Sequence, residues 1–302
     1  VLERTLGVPI FQEQVIELAM VAAGFSGGEA DHLRRVIGAW RSTSQLETFR
    51  QRLIDGMLRR GYTKPFAEQI FNQIKGFGEY GFPESHSASF ALIAYVSAWL
   101  KRHHPAAFCC ALLNSQPMGF YAPAQLVQDA RRHGVEVRPV DVRHSDWTST
   151  LEKDHRGELA LRLGLHHVKG LSEASGQAIA SARADQAFSS LHDLHRRTGV
   201  NKRESRALAA ADALRGLAGN RHQAAWQALA SGAYQAAKAD TADLWHDLPV
   251  ADEPPVLLPV PSEARDIAAD YRHTGLTLRR HPLELLRADF EQRGWLSSRA
   301  LA

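Results

Sequence analysis

Cysteine is scarce in this sequence of 302 residues, which contains only two. Cys109 and Cys110 are adjacent in an apolar run with helical character. That spacing suits neither an ordinary disulfide nor a zinc knuckle, so it excludes a small domain held together by either. We interpret both cysteines as core residues in a reducing compartment and expect a cytoplasmic location.

Long apolar runs are also missing. The richest stretch, residues 90–100, ends at Lys101 and Arg102, whereas a membrane span needs roughly 18 or more apolar residues. We therefore predict no membrane span and no membrane partner. The first four residues, Val1 to Arg4, lack both an initiator methionine and the order of a signal peptide, so we expect a piece of a longer protein.

A large excess of charge of one sign is the third absence. The formal net charge is +3, and the pI is near 9.0. This balance permits a nucleic-acid partner without requiring one. Apolar residues make up 44% of the chain and charged residues 23%, which predicts a globular chain with a large core, divided into two or three domains.

Helical periodicity dominates the first part of the sequence. Apolar residues recur at the spacing of helix faces over residues 1–140, with glycine or proline at the predicted ends. We predict a helical domain over this range. Its helices are expected to begin near Pro9, Gly28, Ser44, Phe66, Ser85, Ala106 and Pro123.

The pattern changes after residue 140. The stretches EVRPVDV, WTSTLE and ELALRLGL alternate with a period of two, and Arg156-Gly157 between the last two predicts a small β-hairpin. Residues 170–237 are rich in alanine and read as short helices. We therefore predict a second domain over 141–237. Residues 238–302 contain a proline-rich linker and the start of a further domain.

Adjacent arginines on the second predicted helix are the first candidate site. Arg34 and Arg35 lie about 100° apart around the helix axis, so at least one faces outward. Guanidinium groups are suited to binding phosphate oxygens. The alternative is an ordinary solvated helix face.

The loop GFGEYGFPES, residues 76–85, is the second candidate site. Its three glycines allow tight turns, and the N–H groups at the start of the following helix can attract an anion. His86 can donate to a phosphate oxygen, and Tyr80 can stack on a base or sugar. The alternative is an aromatic-lined loop packed on neighbouring helices, with Ser85 as an ordinary N-cap.

The segment VKGLS, residues 168–172, is the third candidate site. Its order of apolar residue, lysine, glycine, apolar residue and small residue before a helix is typical of a helix-hairpin-helix loop, in which backbone N–H groups bind a DNA phosphate. Ser172 replaces a second glycine. The alternative is a plain turn before a helix.

Three longer stretches together resemble the fingers region of bacterial C-family replicative polymerases, the DNA polymerase III α-subunits. They are PIFQEQVIELAMVAAGFSGGEADHLRRVIG, YGFPESHSASFALIAYVSAWLKRHHPAAFCCALLNS and GVEVRPVDVRHS. Two features resemble the error-prone, ImuC-type branch, which is used in damage-induced mutagenesis. They are Pro83-Glu84 and the stretch LLNSQPMGFYAPAQLVQDARRHGVEVRPVDV.

The resemblance implies a mainly α fold, with a helical fingers domain followed by a small β-hairpin and a tandem helix-hairpin-helix domain. Residues after 238 would lead into an OB-type domain. The nucleotide-binding residues that it implies are Arg34, Arg35, Tyr80 and His86, with Lys75 as a further candidate. The residues implied to bind duplex DNA are Val168, Lys169, Gly170, Leu171 and Ser172 in the first hairpin unit, and Lys202, Arg203 and Arg206 in the second.

The resemblance also implies a DNA-directed DNA polymerase acting in translesion synthesis and DNA repair, with primer-template DNA and deoxynucleoside triphosphates as substrates. Mg²⁺ would be held by palm aspartates outside this chain, because no Asp-x-Asp motif occurs here. We expect no metal site and no activity in this piece alone.

Other mutasome proteins are the protein partners that the resemblance implies. In TADLWHDL, Thr241 and Trp245 stand where many relatives have the glutamine and phenylalanine of a clamp-binding peptide, which predicts weak or absent sliding-clamp binding. The alternative function is a non-catalytic DNA-binding or assembly module of a repair complex.

Overall fold

The structure is a computed structural model of the chain, and it describes residues 1–37, 43–77, 82–229 and 256–295. The chain divides into two compact units, Val1–Ala98 and Trp99–Ala302. In the described ranges it is mainly helical, with one small sheet, as the sequence predicted. None of the described helices is long and apolar enough to cross a membrane.

The first unit is formed by helices α1 (Gln12–Ala23), α2 (Gly27–Ile37), α3 (Thr43–Arg59) and α4 (Lys64–Phe77), and by most of α5 (Glu84–His103). Helices α1 and α3 approach closely at Gly56, where an added Cβ would lie 2.1 Å from the carbonyl oxygen of Ala23. The apolar faces of α1, α3 and α4 meet in one core, whereas α5 has no buried residue among those described. The members of this core include Val15, Leu18, Leu53, Met57, Ile70, Phe71 and Ile74.

The start of α1 differs from the prediction. The helix begins at Gln12 and not near Pro9. The side-chain oxygen of Gln14 accepts hydrogen bonds from the backbone N–H groups of Ile10 (2.9 Å) and Phe11 (3.1 Å), which satisfies donors ahead of the first turn. The sequence prediction used Pro9 as the start signal and missed this glutamine.

The second unit begins with helices α6 (Pro105–Asn114) and α7 (Pro123–Arg132), followed by strands β1 (Val137–Arg138), β2 (Thr150–Lys153) and β3 (Leu159–Arg162). Strands β2 and β3 form the predicted hairpin, and β1 pairs in parallel with β3. Strand β1 has only two residues, because Pro139 follows and has no N–H to donate.

Short helices complete the second unit. They are α8 (Glu173–Asp185), α9 (Leu191–Thr198), α10 (Lys202–Ala210), α11 (Arg215–Ala218), α12 (residues 221–229), α13 (Glu263–His273), α14 (Pro282–Leu285) and α15 (Arg287–Gln292). One core connects the sheet, helices α8 to α12 and the segment that contains Leu276. This core includes Leu113, Leu161, Leu165, Ile179, Leu194, Leu208, Leu214 and Leu276.

Both cysteines lie in this core as free thiols, as predicted. Burial raises the pKa of Cys109 to about 12, with smaller contributions from Cys110 and Asp129. A thiol in such an environment stays protonated and unreactive.

Candidate nucleotide-binding and DNA-binding sites

The start of α5 is attached to the start of α1. The backbone N–H of Gln12 donates to the carbonyl of Phe82 at 3.1 Å, and the backbone N–H of Glu84 donates to the Glu13 carboxylate at 2.9 Å. An ion pair of 2.9 Å between Arg4 and Glu84 lies beside them. One of the N–H donors expected to attract an external anion is therefore already bonded to a carboxylate of this chain.

His86 lies on the first turn of α5 and is exposed. Its ring contacts two phenylalanine rings, with centroid distances of 4.9 Å to Phe82 and 4.3 Å to Phe90. These contacts orient the imidazole along the surface of the helix. The ring is thereby placed at the end of the glycine-rich loop, as the sequence predicted from its position.

The other nucleotide-binding candidates lie on separate elements. Arg34 and Arg35 belong to the last turns of α2, and Lys75 is exposed in the last turn of α4. Tyr80 lies outside the described residues, as do Thr241 and Trp245 of the clamp-like stretch. The role of these residues in binding a nucleotide stays a prediction.

Two residues that the sequence reasoning missed fix the beginning of α2. Ser26 and Glu29 form a capping box, in which the backbone N–H of Ser26 donates to the Glu29 carboxylate at 2.8 Å. Arg52 of α3 forms an ion pair with the same carboxylate and lies 5.2 Å from the centre of the Phe25 ring. The hydrogen bonds from Ser26, followed by Arg52, lower the pKa of Glu29. The pattern Ser-x-x-Glu at residues 26–29 was the available signal.

The first hairpin loop, residues 168–172, has most of its backbone donors bonded within the chain. Gly170 has a φ of +93°, which is the left-handed conformation that favours glycine in this turn. Its N–H has no acceptor in the described part of the chain. The bonded donors are Val168 to the carbonyl of Leu165 (2.9 Å), Lys169 to the carbonyl of His273 (2.9 Å), Leu171 to the carbonyl of Val168 (3.2 Å) and Ser172 to the Glu204 carboxylate (3.2 Å).

Glu204 connects the two hairpin units. Its side chain belongs to α10 and is buried, and its Oε1 accepts hydrogen bonds from the Ser172 hydroxyl (2.7 Å) and the Ser175 hydroxyl (2.9 Å) of the first unit. Oε2 accepts from the Asn201 side-chain amide at 2.7 Å. Burial opposes ionisation, but the hydrogen bonds from Ser172, Ser175 and Asn201 outweigh it and lower the pKa of Glu204.

The opposite face of α10 carries three exposed cations, Lys202, Arg203 and Arg206. None of them forms an ion pair or hydrogen bond with another side chain in the described ranges. The buried face of the same helix carries Glu204 and Leu208. The sequence predicted these three residues as contacts to a DNA backbone, and the helix presents their charges together on one side.

A segment distant in sequence covers the first hairpin. Arg221 forms ion pairs with carboxylates of α13, at 3.1 Å to Asp266 and 2.5 Å to Asp270, and it also donates to the backbone carbonyl of Asp266 at 3.0 Å. Arg279 contacts Asp212 at 2.9 Å and Asp266 at 3.0 Å. Burial raises the pKa of Asp212, although the neighbouring arginines act in the opposite direction and lower it. These ion pairs fix the position of α13. The backbone carbonyl of its last residue, His273, accepts a hydrogen bond from the backbone N–H of Lys169.

Sequence reasoning missed this network. Its signal was the pair of acidic residues Asp266 and Asp270, which lie four positions apart and therefore share one face of α13. Their partner Arg221 is 45 residues away from Asp266, and a single sequence does not reveal such a pairing.

Metal ligands are not assembled in the described residues. No group of three or more histidine, cysteine, aspartate or glutamate side chains is arranged there to hold a metal ion. His166 and His167 are adjacent, but His167 is buried against the Ser149 hydroxyl (3.3 Å), and burial lowers the pKa of its imidazole to about 3.

Comparison with known proteins matches two parts of the chain. The family model of the bacterial DNA polymerase III α-subunit finger domain matches residues 1–61, and a helix-hairpin-helix motif model matches residues 134–224. A protein named Error-prone DNA polymerase from Methylococcus capsulatus is 56% identical, and the match covers 100% of this chain and 30% of that protein.

Proteins of the same name from Alkalilimnicola ehrlichii and Pseudomonas paraeruginosa are each 54% identical, and each match covers 100% of this chain and 29% of the relative. The chain thus spans about 30% of the length of the curated relatives that it matches. The fingers match, the helix-hairpin-helix match and these identities show that the chain belongs to the bacterial DNA polymerase III α-subunit family, as a segment similar to its error-prone members.

Proposed function

We propose that this chain is the nucleotide-binding and duplex-binding part of an error-prone DNA-directed DNA polymerase that acts in damage-induced translesion synthesis. The observation that carries the proposal is the combination, in one chain, of a fingers-like helical unit and a helix-hairpin-helix region with exposed cations at Lys202, Arg203 and Arg206. Phosphate contacts by such cations supply sequence-independent affinity for duplex DNA.

The incoming deoxynucleoside triphosphate binds on the first unit. Arg34 and Arg35 contact its phosphate oxygens through charged, forked donors, and His86 lies near the phosphates. Tyr80 packs on the sugar or base, and Lys75 adds positive charge. The family resemblance supports these roles, together with the exposure of His86 and Lys75 at the two ends of the loop between α4 and α5.

Divalent metal ions, in this proposal Mg²⁺, are held by carboxylates in the part of the protein outside this chain. When bound there, they supply activation of the primer hydroxyl and stabilisation of the leaving pyrophosphate. The 302-residue chain alone therefore binds its substrates but does not join them.

Cellular context follows from the same resemblance. The parent protein acts in the cytoplasm on primer-template DNA, and other mutasome proteins recruit it. Residues 241–248 contribute little or no affinity for the sliding clamp, because they lack the glutamine and phenylalanine of clamp-binding peptides.

Titration of the isolated chain tests this function. We expect salt-sensitive binding to primer-template DNA, no extension of the primer with Mg²⁺ or Mn²⁺, and weak binding of a labelled deoxynucleoside triphosphate that an Arg34/Arg35 double-alanine variant loses. Extension by the pure chain would contradict the placement of catalysis elsewhere. Equal triphosphate binding by both chains would instead favour the second candidate, a non-catalytic DNA-binding or assembly module.

A further inference from the structure

Helix α10 has two faces with opposite tasks. Its exposed face carries Lys202, Arg203 and Arg206, and its buried face carries Glu204, whose carboxylate accepts hydrogen bonds from the first hairpin unit. Arg203 and Glu204, one on each face, are adjacent in this short helix. The direction in which the three cationic side chains point therefore depends on the hydrogen bonds that fix Glu204.

The bonds to Glu204 are numerous for one side chain. Two hydroxyls and one backbone N–H come from Ser172 and Ser175, and two further donors come from Asn201, which also caps α10. The carboxylate of Glu204 is buried, whereas Ser172 and Asn201 are exposed, so the cost of losing these bonds falls on the carboxylate, which would keep its charge in a buried position with fewer donors. Leu208 packs in the core behind it.

The same carboxylate occupies a position that an anion would otherwise take. Ser172 is the N-cap of α8, and both its N–H and its hydroxyl donate to Glu204. Lys169 N–H is bonded to His273. Among the described residues, only the Gly170 N–H of this loop lacks an acceptor, so little of the first hairpin backbone is left to bind a DNA phosphate.

We propose that Glu204 is a positioning residue for duplex binding: it joins the first hairpin unit to α10 and thereby aims Lys202, Arg203 and Arg206 at the DNA backbone. This inference rests on the proposed duplex-binding function. It assigns a structural task to the first hairpin loop and the contact with phosphate to the second unit.

The test compares Glu204→Gln with Glu173→Gln in the 302-residue chain. Both changes remove one negative charge, but Glu173 is exposed on the first turn of α8, and its one side-chain bond among the described residues is to Gln177. Removing a negative charge near DNA should by itself leave affinity equal or slightly raised. We expect that result for Glu173→Gln, whereas Glu204→Gln should bind a fluorescein-labelled duplex roughly 10-fold more weakly.

The salt dependence separates positioning from stability. Partial unfolding lowers the apparent affinity by the same factor at every salt concentration, whereas misdirected cations lower the number of phosphate contacts. Between about 50 and 200 mM salt, we expect the slope for Glu204→Gln to fall by about two units, while the slope for Glu173→Gln is unchanged. Binding by Glu204→Gln that equals the control in affinity and slope would overturn the proposal.

A variant with unchanged net charge tests the proposal if Glu204→Gln does not fold. Changing both Ser172 and Ser175 to alanine removes donors from the first unit, keeps Glu204 bonded to Asn201 and leaves the charge unaltered. We expect a smaller loss of affinity and a slope lower by about one unit, and an unchanged slope would overturn the proposal.

Failure of the underlying function is recognised separately. A chain with Lys202, Arg203 and Arg206 all changed to alanine tests the DNA-binding surface itself. Undiminished duplex binding by that chain would refute the proposed surface. Loss of binding there, with full binding by a folded Glu204→Gln chain, would refute only the positioning role.

Discussion

The two hairpin units use their polar groups in opposite ways. In the first, the donors of Lys169 and Ser172 are bonded to His273 and Glu204 of the same chain. In the second, the cations of α10 have no bonded partner in the described ranges. A sequence motif for phosphate binding therefore indicates which donors exist, but only the surrounding chain decides whether they are available.

The buried histidines show a similarity between the units. His167 lies just before the first hairpin loop and contacts the Ser149 hydroxyl, and His195 of α9 contacts the Ser205 hydroxyl of α10 at 2.7 Å. Burial lowers the pKa of both imidazoles. Each unit therefore depends on a neutral histidine, and the size of that dependence can be measured.

The largest expected effect is the acid sensitivity caused by His167. Burial, followed by the nearby His166, lowers its pKa to about 3, so the unfolded chain binds this proton more readily from about pH 6.5 downward. Stability should fall as the pH decreases across that window, by on the order of 5 kcal/mol in total. The melting temperatures of the wild type and His167→Gln should differ most near neutral pH. The difference between the two temperatures should narrow or reverse in acid.

An exposed histidine provides the control for this measurement. His155→Gln also removes a histidine, but from the turn between β2 and β3, where no buried site is altered. Its melting temperature should follow that of the wild type at each pH. A parallel pH dependence of the wild type and His167→Gln would contradict the role assigned to the buried imidazole.

The next effect concerns the cations of the second unit. Loss of Lys202, Arg203 and Arg206 together should weaken duplex binding about 100-fold, because each charge-assisted contact contributes on the order of 1 kcal/mol or more. The salt slope should fall by about three units. The matched control removes three other exposed arginines, Arg156, Arg196 and Arg280, whose donors are bonded within the chain.

A comparable loss in that control chain would mean that net charge, and not the α10 surface, determines affinity. The comparison between the two hairpin units would then have no functional meaning. Retention of binding by the control, with loss in the α10 variant, would place the phosphate contacts on the second unit.

Much of the fold was predictable because it depends on local pattern. The helix faces, the β-hairpin with its Arg156-Gly157 turn and the buried cysteines all follow from periodicity and turn chemistry over a few residues. The family resemblance was confirmed by relatives that are 54–56% identical over the whole chain. Local sequence patterns were therefore sufficient to predict both the architecture and the family.

The remainder depended on pairing between distant residues. His273 reaches Lys169 over 104 positions, and Glu204 reaches Ser172 over 32. Neither contact has a periodic signature, because each is set by how short helices pack around a shared core. The candidate DNA residues were therefore identified as a set from sequence, but their division into bonded and free donors was not.

The smallest expected effect concerns the lysine of the first hairpin, and it tests the comparison between the units most sharply. The backbone N–H of Lys169 is bonded to His273, but its side chain is exposed and free to contact a phosphate. We expect Lys169→Ala to weaken binding of all duplex sequences alike, to flatten the salt slope by about one unit and to leave thermal stability unchanged. Anisotropy titrations with two duplexes of unrelated sequence, at several salt concentrations, measure the affinity and its salt slope. A loss that depended on sequence would argue against a backbone contact. A fall of three units, equal to that expected for the α10 variant, would show that the first hairpin contributes as much as the second and would remove the distinction between them.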